Sequence, residues 1–213
     1  MSKKKYYRAA FCLSCVLFFL GLPILAYANG PVIFVHGYGG KKSQWDSMMQ
    51  DFQSNGYSAE SLYQFSYNSL LQSNRDSAKE LRDYVDWVRS RHDWQQVSIV
   101  AHSNGGLVTR WYQARLGGDQ AVRRFVSIGT PHNGTSWAYG CVSPACFEMR
   151  RNSSFLQELN GQGCDRALWS GCDAIIIPTN SAQCGVSVQT SCLGHNQMLW
   201  TSSVHNRARE LLQ

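Results

Sequence analysis

The stretch of this 213-residue chain best suited to chemistry is Ala101-His102-Ser103-Asn104-Gly105-Gly106. A hydrophobic strand pattern, Val97 to Val100, runs into it, and a helical pattern, Leu107 to Tyr112, runs out. A serine on a sharp turn between strand and helix holds its hydroxyl clear of the backbone, where a base and a carbonyl carbon can both reach it. Small residues two places before and after let such a turn close, and Ala101 and Gly105 hold those places, an alanine variant of G-x-S-x-G. The rival reading is an ordinary glycine-rich turn.

An activated serine needs a histidine to take its proton and an acid to orient that histidine; after a strand–turn–helix serine the chain order is serine, acid, histidine. Asp173 follows the short strand pattern at Ala167-Leu168-Trp169 and lies 70 residues after Ser103. Asp165 and Glu158 are alternative acids, and Asp173 could instead cap a loop. His195, in Gly194-His195-Asn196, falls between a last strand at Val186-Ser187-Val188 and a closing helix from Met198 to Leu212. His36 and His132 come too early for the base and are expected to shape their loops or face substrate. His92 ends a charged helix, and His205 is expected to be exposed inside the closing helix.

These residues need a scaffold. Pro31 to Val35 is apolar without alternation, as in the buried centre of a parallel sheet, and it ends in His36-Gly37-Tyr38-Gly39-Gly40, a loop whose backbone N–H groups can approach a reacting oxygen closely. Residues 43–54 carry Trp45, Met48, Met49 and Phe52 at helical spacing. Tyr57 to Tyr67 reads as a strand, with Leu62, Phe65 and Tyr67. Asp76 can cap the following helix, whose buried stripe is Leu81, Tyr84, Val85 and Val88. Gly117-Gly118 stop the helix after the serine. Val122 to Ile128 is a strand that leads into Gly129-Thr130-Pro131-His132-Asn133-Gly134. Alternating strands and helices call for a mostly parallel sheet with helices on both faces. Beyond Gly140 the pattern is poor, apart from a helix at Asn152 to Asn160.

Residues 1–28 read as a secretory signal peptide: Lys3, Lys4, Lys5 and Arg8, an apolar run, then Ala26-Tyr27-Ala28. A membrane anchor would need about 20 unbroken apolar residues, and Pro23 interrupts this run. Removing 28 of the 213 residues leaves 185, expected to form a single domain, and takes the formal charge from +6 to +2. That small excess gives no argument for nucleic-acid binding. Six cysteines remain, an even number that suits disulfides in an oxidising compartment. Their close spacing suggests Cys141–Cys146, Cys164–Cys172 and Cys184–Cys192, one of 15 connectivities. Zinc is disfavoured, because these six contain no C-x2-C pair.

With these residues in hand, the chain resembles the small secreted lipases of the α/β-hydrolase superfamily, nearest to bacterial lipase class 2 and the minimal Bacillus-type lipases. Phe34 to Gly40, Ile99 to Gly106, Gly129 to Thr135, Phe155 to Asn160, Cys172 to Ile176 and Gly194-His195-x-x-Met198-Leu199 carry the resemblance, which spans the whole mature chain. It implies a compact α/β-hydrolase fold without a large lid domain. It also implies Ser103 as nucleophile, His195 as base, Asp173 as acid, and backbone N–H groups of Tyr38 and Asn104 as the oxyanion hole. Asn104 stands where the family often has Met, and only its backbone is expected to matter. The implied activity is hydrolysis of carboxylic esters in lipids or small acyl esters, by a secreted or periplasmic monomer, with no cofactor or metal, no nucleic-acid partner and no anchor after cleavage. An acyltransferase or thioesterase on the same triad, or a non-catalytic binding protein on the same fold, are the alternatives. The one stretch long enough for a mobile lid, Gly134 to Arg166, holds three of the six cysteines.

Overall fold

The structure, a computed structural model, describes residues 30–213, so the expected signal peptide lies outside it. Six strands form one parallel sheet: β1 (Val32–Val35), β2 (Leu62–Phe65), β3 (Val97–His102), β4 (Val122–Ile128), β5 (Arg166–Trp169) and β6 (Val186–Gln189), in the order β2-β1-β3-β4-β5-β6. The helices are α1 (Asp46–Ser54), α2 (Asn74–Ser90), α3 (Asn104–Arg115), α4 (Gly118–Ala121), α5 (Pro144–Met149), α6 (Ser154–Leu159) and α7 (Ser202–Leu211), with short 3-10 turns between.

Strand side chains alternate between the two faces of the sheet, so one apolar strand feeds two cores. Ile33 and Val35 of β1, with Ile99 and Ala101 of β3, pack under α2 and α3, where Leu81, Val85, Val88 and Leu107 fill the layer. Val32 and Phe34, with Val100, Val126 and Ile128, face α1 and α7, where Trp45, Met48, Phe52, Val204 and Ala208 close the other side. Phe34 touches both Trp45 and Phe52, at ring centroid distances of 5.3 and 5.4 Å. Burying a large apolar side chain of this kind stabilises a fold by roughly 1.5–3 kcal/mol. Helix α3 is buried from Asn104 through Tyr112, which makes it the inner helix of its layer.

The topology locates the crevice. From β1 the chain moves out to β2, then returns past β1 to β3 and proceeds to the opposite edge. The carboxyl ends of β1 and β3 therefore flank a switch point, where loops diverge and leave room for a ligand. The Gly-rich loop after β1 and the serine turn after β3 both open there.

Several local expectations are corrected. Ser73, not Asp76, caps α2: the Ser73 hydroxyl accepts from the Asp76 N–H at 3.1 Å. The strand expected within Tyr57 to Tyr67 is only Leu62–Phe65, and the closing helix begins at Ser202 after a separate turn, Gln197–Leu199. His205 is buried, its Nε2 2.8 Å from the Leu199 carbonyl, because the last helix packs that face on the sheet.

Two of the three expected disulfides are also corrected. Cys141 pairs with Cys146 as expected, but Cys164 pairs with Cys184 and Cys172 with Cys192, rather than Cys164 with Cys172 and Cys184 with Cys192. The cause is the register. β5 and β6 run parallel, Arg166 beside Val186 and Trp169 beside Gln189, an offset of 20 residues. Cysteines separated by 20 residues therefore meet across the strands, one bridge at each end of the pair. No helix among the described residues is long and apolar enough to cross a membrane.

Candidate active site

Ser103 sits between β3 and α3 with φ 54° and ψ −128°, a conformation that L-residues adopt under strain. Its N–H donates to the Ile128 carbonyl at 2.9 Å, and its own carbonyl accepts from Gly106 at 3.0 Å, so the turn is held on both sides. Gly105 is required by proximity: a Cβ there would press into the carbonyls of Val35 and His36 at the end of β1. The close approach lays the N-terminus of α3 against the Gly-rich loop, and the positive end of a helix dipole faces the switch point.

Asp173 and His195 arrive from the loops after β5 and β6. His195 Nδ1 lies 2.7 Å from Asp173 Oδ2, and both residues are buried. The other carboxylate oxygen accepts from Ile175 N–H at 2.8 Å and Ile176 N–H at 3.0 Å. Burial pushes the Asp173 carboxyl up, but the hydrogen bond and charge of His195 and the two N–H donors outweigh it, leaving it below the usual carboxylate range. With Nδ1 committed to the carboxylate, Nε2 is the nitrogen left to take a proton. The Ser103 and His195 side chains line one cleft of about 150 Å³, shared with Tyr38, Trp137, Met149 and Ile176. Gly129 stands behind the Asp173–His195 pair at φ 56°; a Cβ there would lie 3.3 Å from both Asp173 Oδ2 and His195 Nδ1.

The other weighed acids are elsewhere. Asp165 accepts from the Phe125 N–H at 2.9 Å and pairs with Arg166, and Glu158 is held by a two-pronged contact from Arg75, 2.8 Å in each arm. His36 shapes its loop, with Nδ1 2.9 Å from the Gly37 carbonyl and Nε2 accepting from Tyr67 N–H at 3.3 Å. His132 turns into the core toward Ser127, 2.8 Å away, and its carbonyl accepts from Arg110 at 3.0 Å. His132, Cys164 and Cys184 cluster with their donor atoms within 4.8 Å, but both sulfurs are joined in a disulfide, which offers no thiolate to a metal.

Sequence reasoning passed over His102. Its ring lies 4.5 Å from that of His195, and its Nε2–H donates to the His195 carbonyl at 3.2 Å. Burial, reinforced by the neighbouring His195, pushes the His102 imidazole down to about 3. It is therefore a neutral support that adds no positive charge beside His195.

The segment from Gly134 to Arg166 is fastened at many points. Thr135 N–H donates to the Met149 carbonyl at 2.9 Å, Ser136 N–H to the Ile177 carbonyl at 2.9 Å, and Arg75 reaches from α2 to Glu158 while lying 4.0 Å over the Trp111 ring. Of its aromatics, Trp137 lines the cleft, Phe155 is buried against Trp111, and Tyr139 and Phe147 are exposed, each with the Arg150 guanidinium over its ring.

A family profile described as lipase (class 2) matches residues 29–211. A triacylglycerol lipase from Pseudarthrobacter phenanthrenivorans is 29% identical over 116 residues, covering 51% of this chain and 35% of that protein. One from Burkholderia plantarii is 29% identical over 116 residues, covering 51% and 31%. The chain thus spans about a third of the length of the curated relatives it matches. The crystal structure of mature Bacillus licheniformis lipase BlEst2 superimposes with a TM-score of 0.76 at 16% identity, covering 88% of this chain and 93% of that one, which shows a shared α/β-hydrolase fold.

Proposed function

Because the chain belongs to the class 2 lipase family, we propose that it is an exported serine hydrolase that cleaves carboxylic ester bonds of lipids or small acyl esters. Ser103 is the nucleophile, His195 the base and Asp173 the orienting acid. The observation that carries the reading is the 2.7 Å contact between His195 and Asp173 beside a strained serine in the same cleft. Three disulfides are consistent with an oxidising compartment.

The chemistry follows from the groups present. His195 Nε2 takes the hydroxyl proton as Ser103 Oγ bonds to the ester carbonyl carbon. The carbonyl oxygen becomes an oxyanion, held by the N–H groups of Tyr38 and Asn104. His195 gives the proton to the leaving alcohol as the C–O bond breaks. Water then attacks the acyl-enzyme by the same proton route and releases the carboxylic acid.

The small cleft and the fastened 134–166 segment favour short and medium acyl chains without a mobile cover. The test is a chromogenic ester series, with rate followed through the solubility limit of a sparingly soluble member. The wild type should hydrolyse the shorter esters with smooth saturation, and Ser103→Ala should lose turnover by several orders of magnitude. Failure to cleave any ester contradicts the activity, and a jump in rate at the solubility limit contradicts the fixed segment.

A further inference from the structure

Asn104 follows the nucleophile and begins α3, and its side chain turns away from the cleft into a buried polar cluster. Asn104 Nδ2 donates to Asn74 Oδ1 at 2.7 Å, and the Asn104 side chain lies beside the Tyr67 hydroxyl. Both asparagines are fully buried. Asn74 is the first residue of α2, where the leading N–H groups have no partner within the helix; its N–H donates to Glu148 Oε2 of α5 at 2.5 Å. Tyr67 links the cluster to the other donor loop. Its hydroxyl donates to the His36 carbonyl at 2.8 Å, and its ring stacks on the His36 imidazole with centroids 4.5 Å apart. His36 immediately precedes Gly37-Tyr38. The two backbone N–H groups assigned to the oxyanion hole, on Tyr38 and Asn104, are thus tied through side chains to a single cluster.

Stability does not account for this pair of amides. Among the described residues Asn74 Nδ2 and Asn104 Oδ1 are buried without a hydrogen-bond partner, and a buried polar group left unpaired works against folding, where apolar groups of the same shape would not. What the pair supplies is a fixed direction: an amide contact locked between the start of α2 and the start of α3.

We propose that Asn74, together with Tyr67 and the Asn104 side chain, is a brace that sets the spacing of the two oxyanion donors, with Asn74 a positioning residue that never touches substrate. The inference rests on the hydrolase reading above. Oxyanion donors act through preorganisation, and removing one costs about 10²–10³-fold in turnover. Displacing one should cost less, about 10- to 100-fold.

The test uses Asn74→Leu, which keeps the branched shape and removes the acceptor, with Tyr67→Phe as a second variant that keeps the stacked ring and removes the hydroxyl. Two inhibitors separate the states: a trifluoromethyl ketone ester analogue, which bonds to the serine and forms an oxyanion, and an ether analogue of the substrate, which binds without forming one. In both variants kcat should fall about 10-fold or more, KM and ether affinity should stay within about twofold of wild type, and ketone affinity should fall by the same factor as kcat/KM. If Asn74→Leu does not fold, Tyr67→Phe alone must show this split. A folded variant with unchanged kcat, or equal losses of ketone and ether affinity, overturns the brace. A wild type that the ketone does not inhibit overturns the hydrolase reading itself, and an inhibited wild type with unaffected variants overturns the brace alone.

Discussion

Replacing Ser103 by glycine and, separately, by alanine should give two inactive proteins of unequal stability, the glycine variant being the more stable. At φ 54° and ψ −128° the residue lies where a Cβ is strained, and such backbone strain costs about 1–3 kcal/mol. Alanine keeps the Cβ and so keeps the strain. Glycine releases it but gives the unfolded chain more freedom, which costs about 0.5–1 kcal/mol. The difference is about 1 kcal/mol in favour of glycine, worth roughly 2–4 °C in melting temperature for a domain of this size. Comparing two variants that both lack the hydroxyl removes the lost side-chain contacts from the difference. The surroundings are fixed by the Ile128 and Gly106 hydrogen bonds and by the contact of Gly105 with β1, so the turn should not relax in alanine. Urea unfolding at one pH measures both. An alanine variant as stable as the glycine variant, or more so, would refute the idea that the fold stores strain at the serine.

Asp173→Asn should fold normally and lose turnover by about 10⁴-fold, as expected when a base loses its orienting acid, whereas Asp165→Asn should leave kcat within a few-fold; the two kcat values measured side by side decide it. Burial pushes the Glu148 carboxyl up to about 7, against the help of Asn74 N–H and Arg75 and with that of Asp76 and Glu158. A folded-state value above the unfolded one, about 4.3, means that stability is greatest below pH 4.3 and declines as pH rises toward 7, by at most about 4 kcal/mol before solvent screening. Glu148→Gln should therefore melt above wild type at pH 8 and about level with it at pH 4, and thermal melts at the two pH values test the sign. The bridges Cys164–Cys184 and Cys172–Cys192 have equal separations of 20 residues, so removing either should cost a similar stability, about 3 kcal/mol. Only loss of Cys172–Cys192, which joins the loops bearing Asp173 and His195, should also lower kcat, and unreduced peptide mapping checks the pairing itself.

Much of this architecture was legible because local signals and global fold agree. The apolar strand before His36, the small residues around Ser103 and the helical stripe of α2 each report burial directly through periodicity. That Ser103, Asp173 and His195 each follow a strand was readable because those strands are recognisable apolar runs. Two of the three disulfides differ from expectation because proximity in sequence is not proximity in space, while Cys141–Cys146 is formed as expected. Both strands were visible, and the equal separation of 20 between Cys164 and Cys184 and between Cys172 and Cys192 was the unused sign of a parallel register. His205 was misplaced because a lone polar residue in a helix says nothing of the face it occupies. The roles of His102 and of the Asn104 side chain depend on partners 93 and 30 residues away in sequence, His195 and Asn74, which no local pattern names.

The central claim is that Ser103 is the activated nucleophile, and mass-spectrometric mapping of a phosphonate ester probe tests it most directly. The probe should add once per chain, on the peptide bearing Ser103, with labelling and ester hydrolysis lost in step over time, and both should be abolished in His195→Ala. Labelling of a different serine, or full hydrolysis after Ser103 is completely modified, would contradict the account.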